Sequence, residues 1–237
     1  MKNVELRSAE DLHALVQELG FLPFFVNDVK EFSIEEHTPV DLWFTSEEGP
    51  WEWKGQVLRM GNCVYGKFFN GKAGFVSRKW FNDFANFRRD GYDFDSRIDD
   101  GLKVEMADQN IYEELLKQKS VISKLIRQRT GYWGKEGKSG FDAIMTRLQM
   151  QTYAITCDFE YETGKNGKPY GWGLARYTTP EAYLGRSFIN NVYKRTPEES
   201  FYRMFDHLKK KLPEAEGIRI GKLLGYKGKI LEKKKRK

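Results

Sequence analysis

The first half of the chain shows helical spacing of its apolar residues in two places. Apolar side chains recur at helical intervals between Ser8 and Gly20, which predicts a helix that Ser8 caps and Gly20 ends. A second helix is predicted from Ser33, because Ser33 and Glu36 have the spacing of a capping box, and it runs towards residues 42–44. The segment GPWEWKG, rich in tryptophan and punctuated by glycine and proline, follows with no predicted element.

A β-hairpin is predicted next. Residues 63–69 and 72–77 are strand-like and flank Asn70-Gly71, and both residues of that pair accept the positive φ of a two-residue hairpin turn. Ser77 is then expected to cap a short aromatic helix. The acidic segment DGYDFDSRIDDG after it is predicted to be a linker, and it fails as a calcium loop because Ile98 and Val104 stand where glycine and glutamate are needed.

The second half changes from helical to strand periodicity. Helices are predicted from Asn110 to about Leu116, from Val121 to Ile126, and from Ser139 to about Leu148. From Tyr153 apolar and polar residues then alternate, which predicts a strand with one buried face, and the run GWGLARYT returns after a turn containing Asn166-Gly167. Three helices followed by a hairpin predict a winged helix-turn-helix over residues 110–179.

The sequence therefore predicts an α+β fold with a winged helix-turn-helix domain packed on an N-terminal α/β-hairpin subdomain. The expected boundaries are residues 1–105 for the N-terminal subdomain, 106–185 for the winged-helix domain, 186–226 for C-terminal helices and 227–237 for a basic tail. A content of 40% hydrophobic and 15% aromatic residues is that of a globular chain.

Charge points to DNA only when it is examined locally. The net charge is +6, but the tail from residue 227 holds seven basic residues and one acid, so the rest of the chain is neutral. Such a tail is typical of a solvated end with some affinity for phosphate. Residues 117–147 hold eight basic and two acidic residues on elements that face DNA in a winged helix.

The candidate DNA-binding residues lie on these elements and on the predicted wing. They are Lys124, Arg127, Arg129, Tyr132, Trp133, Lys135, Lys138, Arg147, Lys165 and Lys168. The two aromatic residues either anchor their glycine-rich loop to the core or stack on DNA bases.

The sequence does not indicate a metal site, a cofactor site or a membrane span. Cys63 and Cys157 have the surroundings of small core residues, and the three histidines are far apart in sequence, so no metal site and no cofactor are predicted. The chain has no apolar run long enough for a membrane span and no signal-peptide pattern. We expect a cytoplasmic bacterial protein without a membrane partner.

The chain resembles a bacterial AlkZ-related family in six short segments, which are RLQMQTY, PFFVNDV, EEHTP, GPWEWKG, YGKFF and YGWGLARY. RLQMQTY also resembles the AlkZ-type winged-helix DNA glycosylases, which carry a Gln-x-Gln motif where a helix passes into a strand. The resemblance implies catalytic roles for Gln149 and Gln151. Expelling an N3- or N7-alkylated purine releases a neutral base, so an oriented water and stabilisation of the sugar cation could suffice. Asp142 and Asp158 are reserve candidates for a general base.

The leading hypothesis is thus a winged-helix DNA-binding protein with glycosylase activity on alkylated bases in duplex DNA. One alternative is a non-catalytic winged-helix DNA-binding regulator or accessory factor. Another is a winged helix that serves as a protein-interaction surface. A base pocket, which a glycosylase needs, is expected from the N-terminal half.

Overall fold

A computed structural model describes residues 4–44, 48–163 and 169–228 of the chain. Its first part contains a helix, a short strand, two short helical turns, a longer helix, a hairpin and two more helices. These elements are α1 (Ala9–Leu19), β1 (Phe21–Pro23), α2 (Ile34–His37), a 3-10 turn (Val40–Trp43), α3 (Pro50–Met60), β2 (Cys63–Phe69), β3 (Lys72–Ser77), α4 (Arg78–Arg89) and α5 (Phe94–Asp99).

The second part begins with a helix, a two-residue strand and two further helices, continues with a long hairpin, and ends in four helices. These elements are α6 (Met106–Leu116), β4 (Val121–Ile122), α7 (Ser123–Arg129), α8 (Phe141–Met150), β5 (Ile155–Thr163), β6 (Pro169–Thr178), α9 (Pro180–Leu184), α10 (Arg186–Ile189), α11 (Pro197–Lys211) and α12 (Gly217–Leu224). The combination of helices with an antiparallel sheet is an α+β fold. Within the described ranges no helix is long and apolar enough to cross a membrane.

One sheet runs through both parts of the molecule. Over the described residues its six strands have the order β1-β3-β2-β5-β6-β4, and neighbouring strands are antiparallel. The N-terminal hairpin joins the C-terminal hairpin between β2 and β5, where Tyr65 pairs with Thr156. The two halves therefore share backbone pairing as well as side-chain contacts.

The buried apolar residues of the described chain form two clusters on this sheet. The larger contains α1, the N-terminal hairpin, α4 and the C-terminal helices α11 and α12, with Phe24, Phe84 and Phe201 among its members. The smaller contains α6, α7 and α8 around Ile111, Leu148 and Tyr153. The helices after β6 thus return to cover the first half of the chain.

Several local predictions are confirmed. Ser8 caps α1 by accepting from the Asp11 N–H, and Gly20 follows the helix with a φ of 82°. The hairpin turn has Asn70 at a φ of 51° and Gly71 at 78°, as a turn of this kind requires. The interval between Ser33 and Glu36 starts only a short helix, because Pro39 follows it and the chain continues as the 3-10 turn.

Other parts of the N-terminal half were predicted incompletely. GPWEWKG begins α3, since proline is favourable in the first turn of a helix and Gly49 occupies the N-cap. The acidic linker contains α5, whose N-cap Asp93 accepts from the Ser96 N–H. Ser77 occupies the N-cap of α4, but its hydroxyl makes no capping hydrogen bond.

The second half also differs in detail from the prediction. Val121 and Ile122 form β4, which pairs with β6, rather than the start of a helix. The first helix starts at Met106, and α8 starts after Gly140 at a φ of 93°, not at a Ser139 cap. Ala154 and Thr156 are buried despite the predicted alternation, because the strand start lies between the two clusters and the register shifts after Thr156.

Candidate functional site

The passage from α8 into β5 is a closed backbone corner. The N–H of Gln151 donates to the Arg147 carbonyl at 3.0 Å, and the N–H of Thr152 donates to that of Gln149 at 2.9 Å. Thr152 has a φ of 62°, which a β-branched residue adopts only when its surroundings impose it. The backbone on either side of Gln151 is therefore fixed.

Gln149 lies inside the molecule, with 1% of its surface exposed. Its Oε1 accepts from the Lys67 N–H at 3.1 Å and from the Thr156 hydroxyl at 3.4 Å, and its Nε2 donates to the Met145 carbonyl at 3.2 Å. The Gln149 amide oxygen thus accepts the hydrogen bond of the Lys67 N–H in β2, two residues beyond Tyr65, where β2 pairs with β5. It joins α8 to the sheet between the two halves.

Gln151 has the opposite environment. It is half-buried, and within the described residues its side-chain amide makes no hydrogen bond. Together with Arg147 it lines two clefts. The large cleft, of about 760 Å³, is bounded by residues of α4, α8 and the end of α12, which are Phe87, Arg88, Asp142, Ala143, Thr146, Arg147, Met150, Gln151, Gly225 and Lys227. The small cleft, of about 160 Å³, lies towards α5 and α6.

Arg147 is held beside Gln151 by an acid of α6. Asp108 is buried, and Arg147 binds both of its carboxylate oxygens, with Nε at 2.7 Å from Oδ2. The hydrogen bonds to Asp108 raise the pKa of Arg147 above its usual value. The cation is thus fixed between the two clefts while part of it stays in solvent.

Arg89 stabilises the backbone corner between α8 and β5 from inside the molecule. No sequence pattern indicates this role. Its side chain is fully buried, and Nη2 donates to the Thr152 carbonyl at 2.8 Å. Nη1 donates to Glu181 at 2.6 Å and to the Tyr193 hydroxyl at 3.0 Å. Burial is the largest single influence and opposes the charge, but the interactions with Glu181 and Tyr193 together outweigh it and raise the pKa of Arg89.

The predicted DNA-binding cations fall into two groups. Arg127 pairs with Asp142 at 2.7 Å, Arg129 pairs with Glu114 at 2.9 Å, and Arg147 pairs with Asp108. Lys124, Lys135 and Lys138 are exposed and have no carboxylate partner among the described residues. Lys165 and Lys168 lie outside the described residues.

The two candidate aromatic residues separate in the loop before α8. Tyr132 packs on Phe141, with ring centroids 5.8 Å apart, and belongs to the edge of the smaller cluster. Trp133 is 49% exposed, and the Nζ of Lys124 lies 5.5 Å from its ring. The Lys138 N–H donates to the Gly131 carbonyl at 2.8 Å, which closes the loop at its base and holds Trp133 at the surface.

The reserve carboxylates are both paired. Asp142 lines the large cleft but binds Arg127, and Asp158 binds Arg59 at 3.0 Å in the middle of β5. Among the described residues no group of three or more His, Cys, Asp or Glu side chains is placed to hold a metal ion.

The family model described as AlkZ related matches residues 6–225. The chain belongs to the AlkZ-related family. No curated protein matches this AlkZ-related chain. Among solved structures, the DNA glycosylase AlkZ of Streptomyces sahachiroi matches with a TM-score of 0.46 and 10% sequence identity. The match covers 86% of the AlkZ-related chain and 52% of the glycosylase, so the chain spans about half the length of that structure.

Proposed function

We propose that this AlkZ-related protein binds DNA through a winged helix formed by residues 106–178. The order α6, β4, α7, α8, β5, β6, with β4 paired to β6, supports this proposal. In it α8 is the recognition helix and the hairpin of β5 and β6 is the wing, with Lys165 and Lys168 as its phosphate contacts.

The part of α8 that we propose enters the groove is its first half. The tip of the N-terminal hairpin covers the second half, where Gly71 lies against Thr146 and Met150 and the Nζ of Lys67 donates to the Thr146 hydroxyl at 3.2 Å. Trp133 and three exposed lysines, which are Lys124, Lys135 and Lys138, lie on α7 and in the loop before α8. We propose that this end enters the groove, since the N-terminal residues of a recognition helix contact the base edges.

We further propose that the protein hydrolyses the N-glycosidic bond of alkylated purines, with Gln151 as the catalytic residue. Its free amide oxygen can accept a hydrogen bond from the attacking water, and in the proposed complex it stabilises the positive charge that develops on the sugar. Gln149 is a positioning residue in this mechanism, because its amide oxygen bonds α8 to the sheet and its Nε2 donates to the Met145 carbonyl within α8. The exposure of Gln151 at a rigid corner between two clefts carries the proposal.

Release of base from duplex DNA containing N7-methylguanine tests this activity. We expect the wild-type protein to release the base and Gln151→Ala to lose at least about tenfold in rate, with unchanged DNA affinity. Gln17→Ala, an exposed glutamine of α1, is the matched control and should keep the wild-type rate. Equal rates for the two variants would refute the role of Gln151.

The second candidate function is a DNA-binding accessory factor without catalysis. It is favoured by the pairing of Asp142 and Asp158 with arginines, which leaves neither acid as a free base. Intact DNA binding with no release of base by the wild-type protein would establish it in place of the glycosylase. Absence of DNA binding even at low salt would instead favour the protein-interaction module.

A further inference from the structure

Arg88 enters the large cleft as a cation without an anion. Its Nη2 donates to the carbonyls of Phe68 at 2.7 Å and Leu223 at 3.4 Å, and its Nε is buried without a partner. Within the described chain no carboxylate lies at salt-bridge distance from it, whereas its neighbour Arg89 has Glu181. Burial lowers the pKa of Arg88 to about 10.

The protein compensates this charge only in part. The Leu223 carbonyl lies at the end of α12, where the helix dipole carries roughly half a negative charge, and the Phe84 ring centroid lies 4.9 Å from the Arg88 Cζ. Together with the Phe68 carbonyl these groups supply partial negative charges but no full anion. Gly225 leaves room for the guanidinium, since a Cβ there would lie 2.5 Å from Nη1. The uncompensated remainder of the charge, beside a wide opening, indicates a site for an anion.

The rest of the cleft wall specifies what kind of anion fits. Phe87, Met150 and Ala143 give it an apolar face, and Gln151 offers an amide. Lys227 and Arg147 add two further cations, of which Arg147 is paired with Asp108, and the acid Asp142 of this wall is paired with Arg127. A volume of about 760 Å³ falls within the range of roughly 300–1,000 Å³ typical of small-molecule sites. A phosphate joined to a flat, partly apolar base matches this combination.

We propose that the large cleft is a nucleotide site, in which the Arg88 guanidinium holds a phosphate and the face of Phe87 and Met150 receives a base beside Gln151. The nucleotide belongs either to a DNA strand, turned out of the helix, or to a free mononucleotide. The inference deepens the proposed glycosylase function, since it supplies the pocket for the base. The pocket is built from both halves of the chain rather than from the N-terminal half alone.

Binding of dGMP and of deoxyguanosine to the full chain, measured by calorimetry, tests the proposal. We expect dGMP to bind at least about tenfold more tightly than deoxyguanosine, and Arg88→Gln to abolish most of that difference. Arg88→Lys should retain part of it, because the charge remains. Equal affinity for dGMP and deoxyguanosine in the wild-type protein would overturn the proposal.

Arg88 also bonds to two backbone carbonyls, so a second variant keeps the test decisive if Arg88→Gln does not fold. Ala143 is exposed on α8 and lines the cleft, so Ala143→Trp should fill it and weaken dGMP binding by about tenfold or more. Ala14→Trp, at an exposed alanine of α1, is the matched control and should bind as the wild type does. Unchanged dGMP binding by Ala143→Trp would refute the site.

Duplexes separate the two sources of the nucleotide. If the ligand is part of a DNA strand, Ala143→Trp should weaken binding to a duplex with a one-nucleotide bulge more than to a fully paired one. Loss of dGMP binding without that difference would assign the site to free nucleotides. If dGMP binds more tightly than deoxyguanosine but the protein releases no base, the nucleotide site is supported and the glycosylase activity is refuted. If the protein releases base but binds dGMP no more tightly than deoxyguanosine, the glycosylase activity is supported and the nucleotide site is refuted.

Discussion

Gln149 and Gln151 are two residues apart and have different surroundings. The amide of Gln149 is enclosed and bonded on both of its ends, while that of Gln151 faces the clefts. A helix end places residues two apart on different sides, so one faces the sheet and the other the surface. Substitutions at the two positions should therefore affect different properties of the protein.

Gln149→Leu should lower the free energy of unfolding by about 1–3 kcal/mol, because the buried N–H of Lys67 would lose its acceptor. Urea denaturation followed by tryptophan fluorescence measures this change. Gln151→Leu is the matched control and should change stability by less than about 0.5 kcal/mol. A stable Gln149→Leu protein would show that the sheet junction does not depend on this amide.

Arg89→Leu should destabilise the protein by about 3–5 kcal/mol, since it leaves the charge of Glu181 without its partner in a largely enclosed position. The Thr152 carbonyl would also lose its donor. Thermal unfolding of Arg89→Leu, Glu181→Gln and the double variant forms a cycle. We expect the double variant to lose less than the sum of the single losses, and strictly additive losses would contradict the coupling.

At the scale of elements, the loop before α8 and the hairpin over α8 set the limits of the proposed DNA interface. The hairpin tip occupies the second half of the helix, so the loop with Trp133 forms the leading edge. The backbone bond between Lys138 and Gly131 closes this loop without help from a ligand. An exposed ring held this way loses little conformational entropy on binding.

Trp133→Ala should weaken DNA binding by about 1–3 kcal/mol if the ring stacks on a base. Fluorescence anisotropy with a labelled duplex measures the affinity. Phe44→Ala, at a still more exposed ring of the N-terminal half, is the control and should leave affinity unchanged. If both variants and the wild type bind DNA with equal affinity, Trp133 has no role in DNA binding.

At the scale of the whole molecule, two cores share one sheet. Gln149 and the pairing of Tyr65 with Thr156 tie the hairpins together, and α11 and α12 cover the first half. The large cleft exists because α4, α8 and the end of α12 meet at this junction. The net charge of +6 describes the tail and not this surface.

Removal of residues 227–237 should lower DNA affinity at low salt but leave a binding constant that still falls with salt. Each phosphate contact contributes about 0.9 to the slope of log K against log salt. Replacing Lys124, Lys135 and Lys138 by glutamine in the shortened chain should reduce the slope further, by up to about 2.7. Complete loss of binding on shortening alone would assign DNA binding to the tail.

The sequence by itself determined the elements that depend on near neighbours. The cap of α1, the turn at Asn70-Gly71, the stripes of α6 and α8 and the pair of strands after α8 each rest on residues a few positions apart. Steric limits and helical or strand spacing act over that range. The same reasoning missed β4, because two residues become a strand only when a partner strand is present.

The tertiary structure alone decided which side chains form the candidate site. Gln149 is buried by Lys67, 82 residues earlier, and Arg89 reaches Thr152 across 63 residues. Arg88 becomes an unpaired cation only when α4, the hairpin and α12 meet around it. No local pattern encodes these contacts, since burial and pairing depend on chain segments that folding brings together.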